Sequence, residues 1–289
     1  MSETTSRLWS VAVRVLRQLR HDHRFLALSL VVPMVVIFVV KIFIDSLDLA
    51  PAATGPPIES LPPLFEELEI PPEARASIAE AFRQNARPRA FEPTTIAVPL
   101  GAFIVHLITY LLCALVLVRE RTAQTLGRMF ISGYRQIEII GGYLLAYSAV
   151  ATGQSLLVLI ELTWLFELQL EFGTLALIYM VIWLLAVTSV ALGILVSNFA
   201  RTEGQVLPFI PLVAVPSILL SGVIIAVDKL PAWAQWGSYV TPLYYANNVI
   251  QELLRSEGKP GHFLMSFIAL PLYGALVLIL ASRTLTERE

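Results

Sequence analysis

The sequence predicts an all-α integral membrane protein: six transmembrane helices, an N-terminal amphipathic elbow helix, and re-entrant helices before the last span. Three observations carry that prediction. First, apolar residues make up 56% of the 289-residue chain and charged residues only 15%, whereas a soluble domain is about half apolar and about a quarter charged. Second, the charges are segregated, leaving apolar blocks that reach the roughly 20 residues of helix needed to cross a bilayer. These blocks lie at 25–44, 95–118, 139–166, 174–198, 205–227 and 262–282. Third, arginines gather in alternate connections. Arg7, Arg14, Arg17, Arg20 and Arg24 precede span one, and Arg119, Arg121, Arg128 and Arg135 follow span two. Arg201 follows span four, and Arg283 and Arg288 follow span six. An even number of spans puts all of these, and both termini, in the cytoplasm. Glu66, Glu67, Glu69, Glu167, Glu171 and Asp228 mark the other side.

Residues 1–24 form a cytoplasmic segment ahead of a six-span domain over 25–289. In SRLWSVAVRVLRQLR, residues 6–20, Leu8, Ala12, Val15, Leu16 and Leu19 fall on one side of a helix. Arg7, Arg14, Arg17 and Arg20 fall on another. That pattern suits a helix in the headgroup layer, its basic face toward lipid phosphates; the plainer alternative is an extension of span one. Span one, kinked by Pro33, exceeds the roughly 7–15 apolar residues of a signal peptide and is expected to be retained. Residues 45–94 are an extracytoplasmic connection whose prolines forbid long regular structure through most of it. One short helix is expected in PEARASIAEAFRQNAR, and the apolar content is too small for an independent core. The segment is a cap or a tether.

Span five holds Pro208, Pro211 and Pro216. Each removes a backbone donor, and in lipid the freed carbonyls need other partners, so this span is expected to bend or to be buried in an assembly. Beyond it, Trp233, Trp236, Tyr239, Tyr244 and Tyr245 suit the headgroup layer. Pro231, Gly237 and Pro242 cut that segment into a two-helix hairpin dipping into the outer leaflet. Ser189, Gly193 and Ser197 form a small-xxx-small ladder on span four, read as packing within one subunit.

The chain contains no G-x-x-x-x-G-K-[ST] phosphate loop and shows no Ser–His–Asp or Cys–His pattern. It is not expected to be an enzyme or to carry its own cofactor. The single cysteine, Cys113, lies inside span two, which leaves no disulfide framework and no metal-ligand cluster. Nucleic acid is not expected among its partners, and the formal net charge of −2 adds nothing to the topology. His106 lies near the middle of span two and Glu161 toward the outer end of span three; ionisable groups at such depth are functional candidates by default. Tyr110 joins them as a candidate for the substrate pathway. The simpler role for His106 is a neutral imidazole bonded to a neighbouring helix. For Glu161 it is continuity with the acidic rim. Such sparse charge suits a pathway for an apolar or amphipathic solute.

RERTAQTLGRMFISGYRQIE, residues 119–138, reads as an amphipathic cytoplasmic helix between spans two and three. Leu126, Met129, Phe130, Tyr134 and Ile137 recur at helical spacing, and Ser132–Gly133 would end the helix. Its stripe has two sensible resting places: the membrane surface, or a groove on a partner protein. Composition does not choose between them.

This stretch, continued as RERTAQTLGRMFISGYRQIEIIGGYLLAY, resembles the signature of the type 2 ABC-exporter permeases. Their pattern runs R-E-R-E-x-G-T-L-E-x-L-L-x-[ST]-P, then a Glu and a Gly-Lys. Arg119, Glu120, Arg121, Thr125, Leu126, Ser132, Glu138 and Gly142 match in register. Gln124, Gly127, Gly133 and Tyr143 replace the family's Gly, second acidic residue, Pro and Lys. The segment LSGVIIAVDKLPAWAQWGSYVTPLYYA is similar to a second family pattern through Ser221, Gly222, Pro231, Trp233, Pro242, Leu243 and Tyr244 or Tyr245. The resemblance covers the whole six-span layout. It implies a dimer of permeases, here expected to be a homodimer, and two separate ABC ATPase subunits that hold ATP and Mg. It implies coupling to those ATPases through the 119–138 helix, with Arg119, Glu120, Arg121, Leu126, Met129 and Phe130 as its contact residues. It also implies the elbow helix and the re-entrant segment at Pro231, Trp233, Pro242 and Tyr244.

The expected function is export of a hydrophobic or amphipathic compound, drug-like or lipid-like, across a bacterial or archaeal plasma membrane. The alternatives are a polysaccharide or ion exporter of the same family, a proton-coupled carrier using His106 and Glu161, and a membrane sensor or scaffold built around residues 45–94.

Overall fold

The computed structural model describes residues 3–46, 93–255 and 263–284. Nearly all of the 45–94 connection, with the short helix expected in it, lies outside these residues. Among the described residues every long element is an α-helix. In chain order they are α1 (Glu3–His21), α2 (His23–Ser46), α3 (Pro93–Thr122), α4 (Thr125–Ile131), α5 (Gln136–Leu165) and α6 (Phe172–Ser197). Then follow α7 (Glu203–Val206), α8 (Phe209–Leu220), α9 (Ala232–Ser238), α10 (Pro242–Arg255) and α11 (Leu264–Thr284). Six stretches are long and apolar enough to cross a membrane: α2, α3, α5, α6, the α7–α8 pair and α11.

The spans differ in how much of themselves they bury. In α3, 67% of the most apolar stretch is buried against the rest of the chain, against 22% in α2 and 11% in α7–α8. Thus α3 is the central post, and α2 and α7–α8 present apolar faces outward. The post is close-packed because α6 brings a glycine to it. A Cβ on Gly193 would sit 2.6 Å from the Tyr110 carbonyl oxygen and 2.8 Å from Cys113 Cβ. Small residues at such crossings let two backbones approach, so the ladder read on span four packs within the chain.

Helix α1 is a separate element. It stops at His21, and Asp22 accepts the Phe25 amide on its side chain at 3.1 Å, which starts α2. Val11, Ala12, Val15 and Leu19 are buried. The apolar face rests on α5, where a Cβ on Gly142 would meet Val11 Cβ at 2.5 Å. The stripe read as lipid-facing is therefore covered by protein.

Span five is broken as its prolines require. Helix α7 ends at Val206 and α8 begins after Pro208. Pro211 sits in the first turn of α8, where a missing amide costs least. Beyond α8, the side-chain amide of Asn247 donates to the Ser221 carbonyl at 2.9 Å. Pro242 opens α10 at its first position, a place proline favours, and Leu243, Ala246, Val249, Ile250 and Leu253 form the buried face of that helix. Trp233 and Trp236 are each 75% exposed.

The Gly193 contact should tolerate no added atom. Gly193→Ala should lower the thermal stability of the purified chain by about 1–3 kcal/mol, the usual cost of overpacking, read as earlier loss of monodispersity on heating in detergent. Gly153→Ala, whose Cβ would meet nothing within 4 Å, should leave stability unchanged or slightly raised.

Candidate functional site

The chain leaves the central post through a single strained residue. Helix α3 ends at Thr122, and Gln124 adopts φ 58, a left-handed conformation. This is a position where the resembling family carries glycine, the residue that adopts such a φ without steric cost. Helix α4 then runs for seven residues, Thr125–Ile131. It closes with a Schellman pair: the Tyr134 amide donates to the Met129 carbonyl at 3.1 Å and the Gly133 amide to the Phe130 carbonyl at 2.9 Å. Gly133, with φ 80, supplies the left-handed residue that this cap needs. A proline, with φ fixed near −65°, could not stand there. The Gly133 carbonyl in turn accepts the Arg7 guanidinium at 2.9 Å, which ties α1 to the end of α4.

Residues 119–138 do not form one continuous helix: they divide into the end of α3, a break, α4, which closes at the expected Ser132–Gly133, and the first residues of α5. The apolar stripe is also not open. Leu126 and Met129 are 5% and 7% exposed, inside the chain's own core. Phe130 and Tyr134 are half-buried, while Ile131 and Ile137 face outward at 89% and 65% exposure. The cause is the turn at Gln124, which folds α4 back on the bundle so that its apolar side is covered locally. Leu126 meets Leu117, Ile139, Ile140 and Ile194 around one small cavity.

The charged trio before the break divides its work. Arg119 is exposed and lies 3.8 Å from Asp22 at the α1–α2 break. Glu120 is buried; it accepts the Tyr143 hydroxyl and has Arg14 of α1 at 3.9 Å. Tyr143 stands where the resembling family has lysine, and it meets Glu120 with a neutral donor instead of a cation. Arg121 spans to α6: its guanidinium donates to the Ser197 carbonyl at 2.6 Å and to Asn198 Oδ1 at 3.1 Å. Asn198 passes the link on, its amide donating to the Ala281 carbonyl at 2.9 Å and to the Thr284 hydroxyl at 3.0 Å on α11. Glu138 caps α5, accepting the Arg135 amide at 2.9 Å. Glu120 and Arg121 are thus internal fastenings, and the outward surface here is Arg119, Arg128, Ile131 and Ser132.

Two of the three pathway candidates come together: the His106 and Tyr110 rings lie 6.0 Å apart between centroids, and both bond to α8. His106 is fully buried, with Nδ1 2.7 Å from Ser189 Oγ and Nε2 3.3 Å from Ser217 Oγ. Ser189 already donates to the Leu185 carbonyl at 2.6 Å, so its oxygen accepts from Nδ1–H, and Nε2 accepts from Ser217. The imidazole ties α3 to α6 and α8. Tyr110 donates its hydroxyl to the Phe209 carbonyl at 2.8 Å, a second tie to α8. Glu161 lies elsewhere, buried on α5, and its Oε2 has no hydrogen-bond partner among the described residues. Of the re-entrant candidates, Pro231 precedes α9, Pro242 opens α10, Trp233 is exposed and Tyr244 is half-buried between the rings of Tyr239 and Tyr245.

Asn198, Ser217 and Tyr143 were not read as functional. Asn198 ends an apolar run just before Arg201, which is the one signal that pointed to a helix cap. No spacing rule links it to Arg121, 77 residues away.

If Arg121 fastens α3 to α6 and α11, its loss is a loss of stability. A hydrogen bond to a charged group contributes about 1.5–3 kcal/mol. Arg121→Ala should lower the melting temperature in detergent, and Asn198→Ala should do so by less. Arg119→Ala, an exposed pair worth about 1 kcal/mol at most, should leave it nearly unchanged.

Comparison with known proteins agrees with this architecture. The ABC-2 type transporter family matches residues 6–254. Over 160 residues the chain is 26% identical to the "Probable multidrug ABC transporter permease YbhR" of Escherichia coli K12, covering 55% of this chain and 43% of that protein. Over 137 residues it is 26% identical to "ABC transporter G family member 20" of Dictyostelium discoideum, covering 47% of this chain and 19% of that protein. The chain thus aligns with less than half the length of these relatives. With the family match running from α1 to α10 and six membrane-length helices in the fold, the chain belongs to the ABC-2 type transporter family and is a multi-pass membrane permease.

Proposed function

We propose that this chain is the permease of an ATP-driven exporter that moves a hydrophobic or amphipathic compound, drug-like or lipid-like, out of the cytoplasm or the inner leaflet. It works as a homodimer with two ABC ATPase subunits, which hold ATP and Mg²⁺. It sits in a bacterial or archaeal plasma membrane with both termini in the cytoplasm. The name of the multidrug relative supports the substrate class, as does the scarcity of charge in the spans.

One observation carries the reading: α4 is built to transmit force. Its inner face is sealed into the bundle through Leu126 and Met129. Its C-terminal cap is held by Arg7, and the adjoining end of α3 is fastened to α6 by Arg121. A surface parked on lipid needs no such fixing. A load applied to the outward residues Arg128, Ile131 and Ser132 would move α1, α3, α5 and α6 together. ATPase subunits drawing together would pull on these surfaces in both permeases and open a path between them.

The test separates docking from folding. Arg128→Glu combined with Ile131→Asp should reduce capture of the ATPase from detergent at least tenfold, about 1.4 kcal/mol, with the permease melting temperature unchanged. Leu126→Ala should instead destabilise the permease itself, by about 2–5 kcal/mol. Full capture by the double variant would count against α4 as the coupling surface. Orientation has its own check. A cysteine at Ser60, in a Cys113→Ala background, should react with an impermeant thiol reagent in intact cells; labelling only after lysis would overturn the topology.

A further inference from the structure

We propose that the groove between α5 and α6 binds a single-chain cationic amphiphile, its tail along the apolar walls and its positive head against Glu167. The groove lies beside the α5–α6 turn and encloses about 760 Å³, within the range of small-molecule sites. Leu156, Leu159, Ile160, Trp164, Phe172 and Leu175 form its walls. Trp164 and Phe172 stand open at 78% and 86% exposure. From Leu156 to Glu167 the helix rises about 16 Å at 1.5 Å per residue, enough for an extended alkyl chain.

Hydrocarbon alone would fill such walls with lipid. The polar groups of the groove narrow the choice. The Thr163 hydroxyl is spent on the Leu159 carbonyl at 2.8 Å, and the Tyr179 hydroxyl on the Thr152 carbonyl at 3.5 Å. That leaves the Glu167 carboxylate as the charged group open to a ligand, with the Trp164 indole N–H also on the groove wall. Among the described residues the carboxylate has no ion-pair partner. Among the described residues Lys41 is a cation at this turn; it lies 5.8 Å from the Phe166 ring centroid, and its ammonium is held by Asp45 at 2.6 Å.

Local structure gives Glu167 no other employment. It follows the C-terminus of α5, where the helix dipole disfavours a negative charge. Its φ of 48 is one that a residue with a Cβ adopts at a cost. Glu171, four residues on, precedes the N-terminus of α6, where the dipole favours a carboxylate. Glu171 is therefore accounted for by the fold and Glu167 is not. A lone carboxylate at the end of an apolar trough matches one positive charge on one chain. It disfavours an anionic amphiphile, and to an uncharged one it offers hydrogen bonds but no charge pairing.

The binding stands apart from the transport reading; only its use, as an entry or release point for an exported compound, rests on that reading. The test is therefore made without ATPase. Full-length permease in nanodiscs of zwitterionic lipid is photolabelled with a diazirine-bearing alkyltrimethylammonium, and labelled peptides are mapped. Labelling should concentrate on residues 156–176. Dodecyltrimethylammonium should compete it away, and dodecyl sulfate and dodecyl maltoside should not. Glu167→Gln should reduce it at least fivefold, while Glu171→Gln, which removes the same charge one turn away, should leave it intact. Even labelling of all outward-facing spans would overturn the proposal. So would equal competition by the uncharged amphiphile, which would make the groove a lipid seat, or equal loss in both variants, which would reduce the effect to general surface charge.

Discussion

In hydrocarbon every backbone group must find a partner inside the protein, and the fold is organised around the places where its helices fail to supply one. Span five breaks at Pro208, and beside the break the Tyr110 hydroxyl adds a bond to the Phe209 carbonyl, the first of α8. The end of α6 and the turn beyond it leave carbonyls free, and Arg121 takes those of Ser197 and Ala200. The end of α8 exposes the Ser221 carbonyl, and Asn247 takes it. In each case the donor sits on a different helix. The same bonds that satisfy the backbone therefore join the spans to one another, and α3 supplies the donor in two of the three sites.

This accounts for the uneven rigidity of the bundle. Where donor and glycine coincide, as between α3 and α6, the helices are both in backbone contact and hydrogen-bonded. The α7–α8 pair has no such backbone contact. It is attached to the interior through Val206 of α7, buried with Ala114, Val118 and Val196, through Tyr110, and through His106 by way of Ser217, the one residue that α8 buries. It is a span held by polar pegs and little packing, with its other faces left to lipid or to another subunit.

How much of this could be read from residues follows from what kind of force sets each feature. The spans were legible because their cause is composition: a run of Leu, Val and Ile is apolar wherever it stands, and the six blocks fall within a few residues of the helices found for five of them. The break in span five was legible for the same kind of reason, since proline acts on its own backbone. The face of α4 was not. Leu126 and Met129 make an identical stripe whether it is covered by the chain or by a partner, and the choice is made by one dihedral at Gln124. Likewise α1 shows a lipid-binding pattern, yet Gly142 provides it a seat on α5. The Arg121–Asn198 link was illegible because tertiary proximity, not spacing, creates it. The bonds of His106 to Ser189 and Ser217 were illegible for the same reason.

The seat of α1 has a consequence for how the protein is made. Leu8 is synthesised 133 residues before Gly141, against which it packs. At about 5–20 residues per second, the N-terminal helix waits on the order of ten seconds for its binding surface. During that interval its apolar side has only the membrane to lie on, and its arginines only lipid headgroups to face. The amphipathic pattern of α1 thus serves two hosts in succession, the nascent chain's bilayer first and α5 afterwards.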